Sequence, residues 1–444
     1  MSGKSWKELV LRTNLTPSTN TEQHFILFDA FKMCQSDGKD SADLQHRIQH
    51  IRNEQRQEEP FPWHLGAFDA HCHPTDTMAS IASIPQMKTR TLTIMGTRSQ
   101  DQHLVAQVAD DKGIKGRKCL AGDDTQAPKV VPSFGWHPWF SHQLFDDSAA
   151  QPTYMPGSED AADVYAAKKT HYQAVLTPSP DDDFVRALPE PTPISVYLSQ
   201  TREYLRTHPL ALVGEIGVDK AFRLPEAFPE SHSRDSDITP GGREGRRLSP
   251  HRVKMTHQQA ILKAQLGLAG DVGRAVSVHG VQAHGVLHDT IQATWKGHER
   301  VVKSARERKR VAPGAEESSD EDETVGGRPY PPKICLHSFS GSVEVMEQWL
   351  KPAIPAVIFF SFSVAVNLGT ESATSKFEDV VRAMPDSKIL VESDLHTAGT
   401  EMDDTLEDMY RRICRIKGWS LEEGLGKIGD NYKAFILGSE PRLP

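Results

Sequence analysis

Short apolar runs interrupt an otherwise polar chain. They are AFDAH (67–71), TLTIMG (91–96), VVPSFG (130–135), ALVGEI (211–216), AVSVHG (275–280), KICLHS (333–338), AVIFFSF (356–362) and KILVES (388–393). Runs of this length, apolar on both faces, predict strands of a sheet covered on both sides. Between most of them lie segments with helical spacing, such as QDQHLVAQVADD, MTHQQAILKAQLGLAG and TSKFEDVVRAM. That alternation predicts βαβ units and a parallel sheet. Eight such units predict an α/β fold closed as a (β/α)₈ TIM-type barrel. An open doubly wound sheet is the alternative, but no G-x-G-x-x-G follows the first run.

The barrel pattern occupies about 61–440, after a polar N-terminal extension, 1–60, that contains a charged helical stretch at 43–59. Three polar stretches interrupt it, at about 141–192, 222–250 and 297–332, and all have the composition of loop or disorder. They lie between strands, so they read as insertions in one domain. Removing them leaves roughly the 250 residues of a bare barrel.

Composition narrows the function classes. Among 444 residues, 37% are hydrophobic and 25% charged, which supports a sizeable core. A net charge of −9 excludes a globally basic nucleic-acid coat and leaves room for a local basic cleft. Five scattered cysteines, none in C-x-x-C spacing, argue against a disulfide framework or a thiolate zinc site and for a reducing compartment. No signal-peptide pattern opens the chain, and the uncharged stretch 352–370 reads as a buried strand with its flanks, so no membrane association is expected. A cytoplasmic or nuclear location follows, ARERKR (305–310) being a candidate import signal.

Histidine, present 20 times, carries the candidate chemistry. The first run ends in Asp69, His71 and His73. Alternate strand residues share a face, so two imidazoles converge at the strand end, with Asp69 deeper on that face where it could orient a ligand. Glu215 ends the fourth run, a carboxylate that is costly there unless paired or metal-bound. His279, His337 and Asp394 close three further runs, Asp394 sharing a face with Glu392. Strand C-termini form one rim of a barrel, the rim on which active sites are built. Mixed nitrogen and oxygen ligands without thiolate suit Zn²⁺, Mn²⁺ or Mg²⁺. With Glu215 central, the set could hold two ions, the usual clamp for phosphate-ester hydrolysis. His137, in GWHP, adds a polar group at the rim, a turn-forming His-Pro being the competing reading. Ser338 and Ser340, in a stretch read as opening a helix, are candidates for holding a substrate phosphate.

Six motifs, D-A-H-C-H-P (69–74), G-W-H-P (135–138), G-E-I-G-V-D (214–219), V-S-V-H (276–279), L-H-S-F-S-G-S (336–342) and V-E-S-D (391–394), occur in an order that resembles the TatD family of metal-dependent hydrolases, amidohydrolase-like barrels. The resemblance implies a deoxyribonuclease or phosphodiesterase with a two-metal centre. His71, His73, Glu215 and Asp394 would hold one ion and Glu215, His279 and His337 the other, with His137 facing the substrate's phosphate. Two positions depart from the family. Gly280, Val281 and Gln282 replace a small residue, Arg and Asp, and Ser393, Asp394, Leu395 and His396 replace Thr-Asp-Ala-Pro. These features resemble a fungal branch described as interacting with an anaphase-promoting-complex subunit.

The expected activity is therefore divalent-metal-dependent phosphodiester hydrolysis, with Asp394 and Glu215 as catalytic residues and short or single-stranded DNA as substrate. Two other classes stay open. One is amide or ester hydrolysis, which a carbamylated lysine on the fourth strand would favour, where Glu215 stands instead. The other is a metal-binding barrel that docks a protein partner through its insertions, with weak or no catalysis. Ser318 and Ser319, each with an acidic residue three positions on, offer a kinase context in the acidic insertion near 316–323.

Overall fold

In the computed structural model the eight apolar runs are eight parallel strands, each within three residues of its expected ends. They are β1 (Phe68–Cys72), β2 (Thr91–Met95), β3 (Val130–Ser133), β4 (Val213–Asp219), β5 (Val276–Val281), β6 (Lys333–Leu336), β7 (Val357–Phe362) and β8 (Ile389–Val391). The described residues are 59–121, 129–226, 246–302 and 327–437. The charged stretch at 43–59 (Glu59 apart), the basic 305–310 motif, the acidic segment with Ser318 and Ser319, and the middle of the 222–250 insertion lie outside them.

Parallel pairing runs β1-β2-β3 and β4-β5-β6-β7-β8. Two seams close the ring. At one, Ser133 bridges Leu212 in parallel, and Phe134 N donates to Leu212 O at 3.1 Å. At the other, Asp394 N donates to His71 O at 3.0 Å and His73 N to Leu395 O at 2.8 Å. The result is the expected TIM barrel. β1 to β4 are buried at every position because one face lines the barrel and the other meets the helical ring.

Helices follow the strands: α1 (Ser99–Lys112), α2 (Ala161–Val175), α3 (Ile194–Thr207), α4 (Met255–Asp271), α5 (His284–Gln292), α6 (Val343–Trp349), α7 (Glu371–Ala383), α8 (Thr400–Lys417) and α9 (Leu421–Leu437), with shorter turns between. In α8, Met402, Leu406, Met409 and Ile413 form one buried stripe at helical spacing. α9 closes the barrel floor. Its Tyr432 and Phe435 cluster with Phe68, Val131, Cys335, Phe359 and Leu390 from strands around the ring. Two residues further along β6, β7 and β8 the same face carries His337, Ser361 and Glu392. An apolar layer below thus supports a polar layer at the mouth.

Residues 141–192 do not form the loop their composition suggests. α2 and a short helix, Asp182–Ala187, start on the side chains of Asp160 and Asp181, which accept from Ala162 N at 2.8 Å and Phe184 N at 2.9 Å. Tyr172, Val175, Leu176 and Val185 then pack on Phe222, Leu224 and Val253, residues distant in the chain. The aspartates that read as disorder are helix caps. Among the described residues no helix is long and apolar enough to cross a membrane, and the 352–370 stretch holds β7 and a one-turn helix.

Candidate metal centre

The strand ends bring the polar residues to one place. His71, one residue before the end of β1, is fully buried, and its Nδ1 lies 2.9 Å from Ser277 Oγ on β5. That contact occupies Nδ1 and aims Nε2 at the centre. His73 lies just past the strand, its Nε2 3.0 Å from His71 Nε2. Glu215 sits among the imidazoles, and its two oxygens divide them. Oε2 lies 3.5 Å from His71 Nε2 and 3.3 Å from His73 Nε2. Oε1 lies 2.8 Å from His279 Nδ1, 2.8 Å from His337 Nε2 and 3.1 Å from His137 Nε2. Asp394 Oδ1 joins the first group, 3.8 Å from His71 and 3.7 Å from His73.

Hydrogen-bond partners fix what each imidazole presents. His279 Nε2 lies 3.1 Å from Asp219 Oδ2, an acceptor, so Nε2 is held as a donor and Nδ1 is the nitrogen turned to Glu215. Asp219 is anchored in turn. Its Oδ2 accepts from Trp139 Nε1 at 2.6 Å and its Oδ1 from the backbone of Ala221 and Phe222 at 2.7 and 2.9 Å. His137 has the opposite tautomer. Its Nδ1 accepts from Trp139 N at 3.2 Å, so Nε2 is the donor toward Glu215. A ring with that nitrogen protonated offers a hydrogen bond rather than a ligand.

Charge follows this geometry. Burial pushes Glu215 up, but His137, His337 and His71 outweigh it and hold the carboxyl well below its usual range. Burial also opposes the charge on His73, yet Glu215, Asp76 and Asp394 raise it to about 9. His337 is raised well above its usual value by Glu215 and Glu392 against burial. Burial dominates at His137, lowered to about 4, and at His71, which is also lowered.

Three expectations need correction. Asp69 orients no imidazole; it accepts from the backbone of His71 and Ser393, each at 3.1 Å, and from Ser393 Oγ at 2.6 Å. The β1–β2 register shifts between Asp69 and Cys72, which breaks the alternation the expectation relied on. Ser338 is not at a helix start: it is buried, and its N–H and hydroxyl both reach Glu392 Oε1, at 2.7 and 2.5 Å. α6 begins only at Val343, leaving Ser340 exposed on the rim loop ahead of it. Asp219 and Ser277, by contrast, had no role assigned from sequence, although both lie an even number of residues from a ligand on the same strand.

Donor atoms of His71, His73 and Asp394 lie within 4.8 Å of one another, as do those of His137, Glu215 and His279, and of His71, Glu215 and His337. These nitrogen and oxygen donors fit a divalent cation. Cys72 and Cys335 are no competitors, since their sulfurs pair with Thr93 O at 3.4 Å and Ser361 Oγ at 3.3 Å.

The family model of TatD-related DNases matches residues 68–436. The Cut9-interacting protein scn1 of Schizosaccharomyces pombe is 38% identical over 368 residues, 83% of this chain and 98% of its own. A Saccharomyces cerevisiae protein named uncharacterized deoxyribonuclease YMR262W is 30% identical over 332 residues, 72% of this chain and 86% of its own. Among solved structures, a TatD-family hydrolase from Entamoeba histolytica is 11% identical with a TM-score of 0.48, covering 84% of this chain and 99% of that one. The Escherichia coli TatD homologue YJJV is 15% identical with a TM-score of 0.45, over 84% and 98%.

Proposed function

Because the chain belongs to the TatD-related DNase family, we propose that it hydrolyses phosphodiester bonds with two divalent ions, acting on short or single-stranded DNA. The observation that carries this reading is the division of imidazoles between the two oxygens of Glu215. His71, His73, Glu215 and Asp394 would hold one ion, and Glu215, His279 and His337 the other. Divalent ions bound there (Mg²⁺, Mn²⁺ or Zn²⁺) would lower the pKa of water and neutralise charge developing on phosphate oxygens. His137 presents its Nε2–H toward the centre, placed to donate to a non-bridging phosphate oxygen. Asp394, with its side chain 10% exposed, is placed to take the proton of the attacking water. A chain of net charge −9 disfavours long duplex, so free ends and single strands are the better substrates.

Hydrolysis of bis-p-nitrophenyl phosphate and of a labelled single-stranded oligonucleotide, with added Mn²⁺ or Mg²⁺, tests the proposal. Wild type should turn over both and Glu215→Ala neither; equal rates for the two proteins would dismiss it.

A second reading rests on the name of the 38% identical relative, which records a protein partner. In it the metal barrel is a scaffold, and the folded 141–192 insertion is a docking surface. Metal-loaded protein that leaves both substrates intact yet captures a partner would favour it.

A further inference from the structure

A cation stands at the mouth without a counter-ion. Lys376, exposed on α7, places its Nζ 3.5 Å from the carbonyl oxygen of Ser340, and among the described residues no carboxylate pairs with it. Its neighbour is an imidazole, His284 at the start of α5, whose ring centroid lies 5.9 Å from that of Phe339. Lys376 and burial both act on His284, burial more strongly, and both lower its pKa. Elsewhere on α7 the pattern is ordinary, with Arg382 2.9 Å from Asp379. Gln282, exposed and held at φ 51°, stands between the end of β5 and His284.

This group lies close to the metal centre along the chain. Ser340 is three residues past His337, so their Cα atoms are at most about 11 Å apart. That reach spans about three nucleotide steps, at roughly 3.4 Å per step along one strand. Lys376 follows β7, in the part of a barrel rim that commonly takes phosphate. An ammonium without a carboxylate partner, beside an imidazole that can donate a hydrogen bond, suits an external anion.

We propose that Lys376, with His284, forms a subsite for a non-scissile phosphate of a nucleic-acid strand whose scissile phosphate occupies the metal centre. The subsite rests on the nuclease reading and specifies which neighbouring groups hold the strand. An amine suits the task because it pairs with phosphate as a point charge and tolerates a strand that shifts between cleavage events.

The test is binding of a labelled oligothymidylate to the full chain in chelator, over a series of salt concentrations, for wild type, Lys376→Ala and Lys376→Arg. Loss of one phosphate contact should reduce the slope of log K against log salt by about 0.7 in Lys376→Ala, and Lys376→Arg should restore it. With metal present, the oligonucleotide KM of Lys376→Ala should rise about tenfold and kcat should fall less. Identical slopes for wild type and Lys376→Ala overturn the subsite. Wild type that binds with the full slope but cleaves nothing overturns the nuclease reading and leaves the subsite standing.

Discussion

Asp219→Asn separates a metal-holding His279 from a merely buried one. In the wild type the Asp219 carboxylate accepts from His279 Nε2 at 3.1 Å and Trp139 Nε1 at 2.6 Å, so Nε2 keeps its proton and Nδ1, 2.8 Å from Glu215, is the nitrogen free to lose its own to a cation. Burial raises the Asp219 pKa, but these two bonds prevail and hold it below the usual range. Asparagine is nearly isosteric. Its Oδ1 can keep the bonds from Ala221 N and Phe222 N, so the turn survives. Its Nδ2, however, is a donor facing two donors. The His279 ring relieves the conflict by moving its proton to Nδ1, the atom that should face a cation. Disrupting such an outer partner costs metal affinity about 10–100-fold, or about 1.4–2.7 kcal/mol. Calorimetric titration of chelator-treated protein with Zn²⁺ or Mn²⁺ reads this directly, with thermal melts as a control for folding. A variant that binds both ions with wild-type affinity refutes the assignment of His279 Nδ1 as a ligand.

Other outcomes follow from the same geometry. Gly217 sits at φ 155° with a would-be Cβ 2.0 Å from the His279 carbonyl, so Gly217→Ala should cost about 1–3 kcal/mol in urea unfolding and weaken metal binding; a silent variant contradicts the close approach of β4 and β5. Burial lowers His142 to about 3 and His171 to about 4, both below the unfolded value of about 6.5. The unfolded chain therefore takes up protons first, and stability present above pH 6.5 is lost as pH falls toward 4, by up to about 3 kcal/mol apiece. Unfolding free energies that stay flat from pH 7 to 4 count against it. Ions at a hundredfold excess over Kd should add about 2.7 kcal/mol and raise the melting temperature by about 3–4 °C, reversibly with chelator; melts indifferent to metal rule out tight binding by the folded state.

How much of this was legible in the sequence depended on where burial was two-sided. Strands such as VIFFSF are apolar on both faces and stand out against any background. The polar cluster was legible because strand ends in a barrel form one rim, so His71, Glu215, His279, His337 and Asp394 could be gathered without coordinates. Alternation failed where the strand itself is irregular, as at the β1 shift that turned Asp69 to the backbone of His71 and Ser393. The 141–192 insertion was illegible for another reason. Its small core completes itself only with Phe222, Leu224 and Val253, which no local window contains.

The electrostatics of the centre bear on both functional readings. His71, His73, His137, His279 and His337 surround the buried carboxylate of Glu215, with Asp219, Glu392 and Asp394 at the edge of the cluster. In the metal-free chain, protons carry the balancing positive charge, as the raised values of His73, His279 and His337 indicate. Each of those protons must leave before its nitrogen can serve as a ligand, so metal uptake releases protons and tightens as pH rises. A scaffold that only docked a partner would gain nothing from this expense, because apolar residues of similar volume would pack the same space at lower cost. Proton release on metal binding therefore reads directly whether these nitrogens take up an ion.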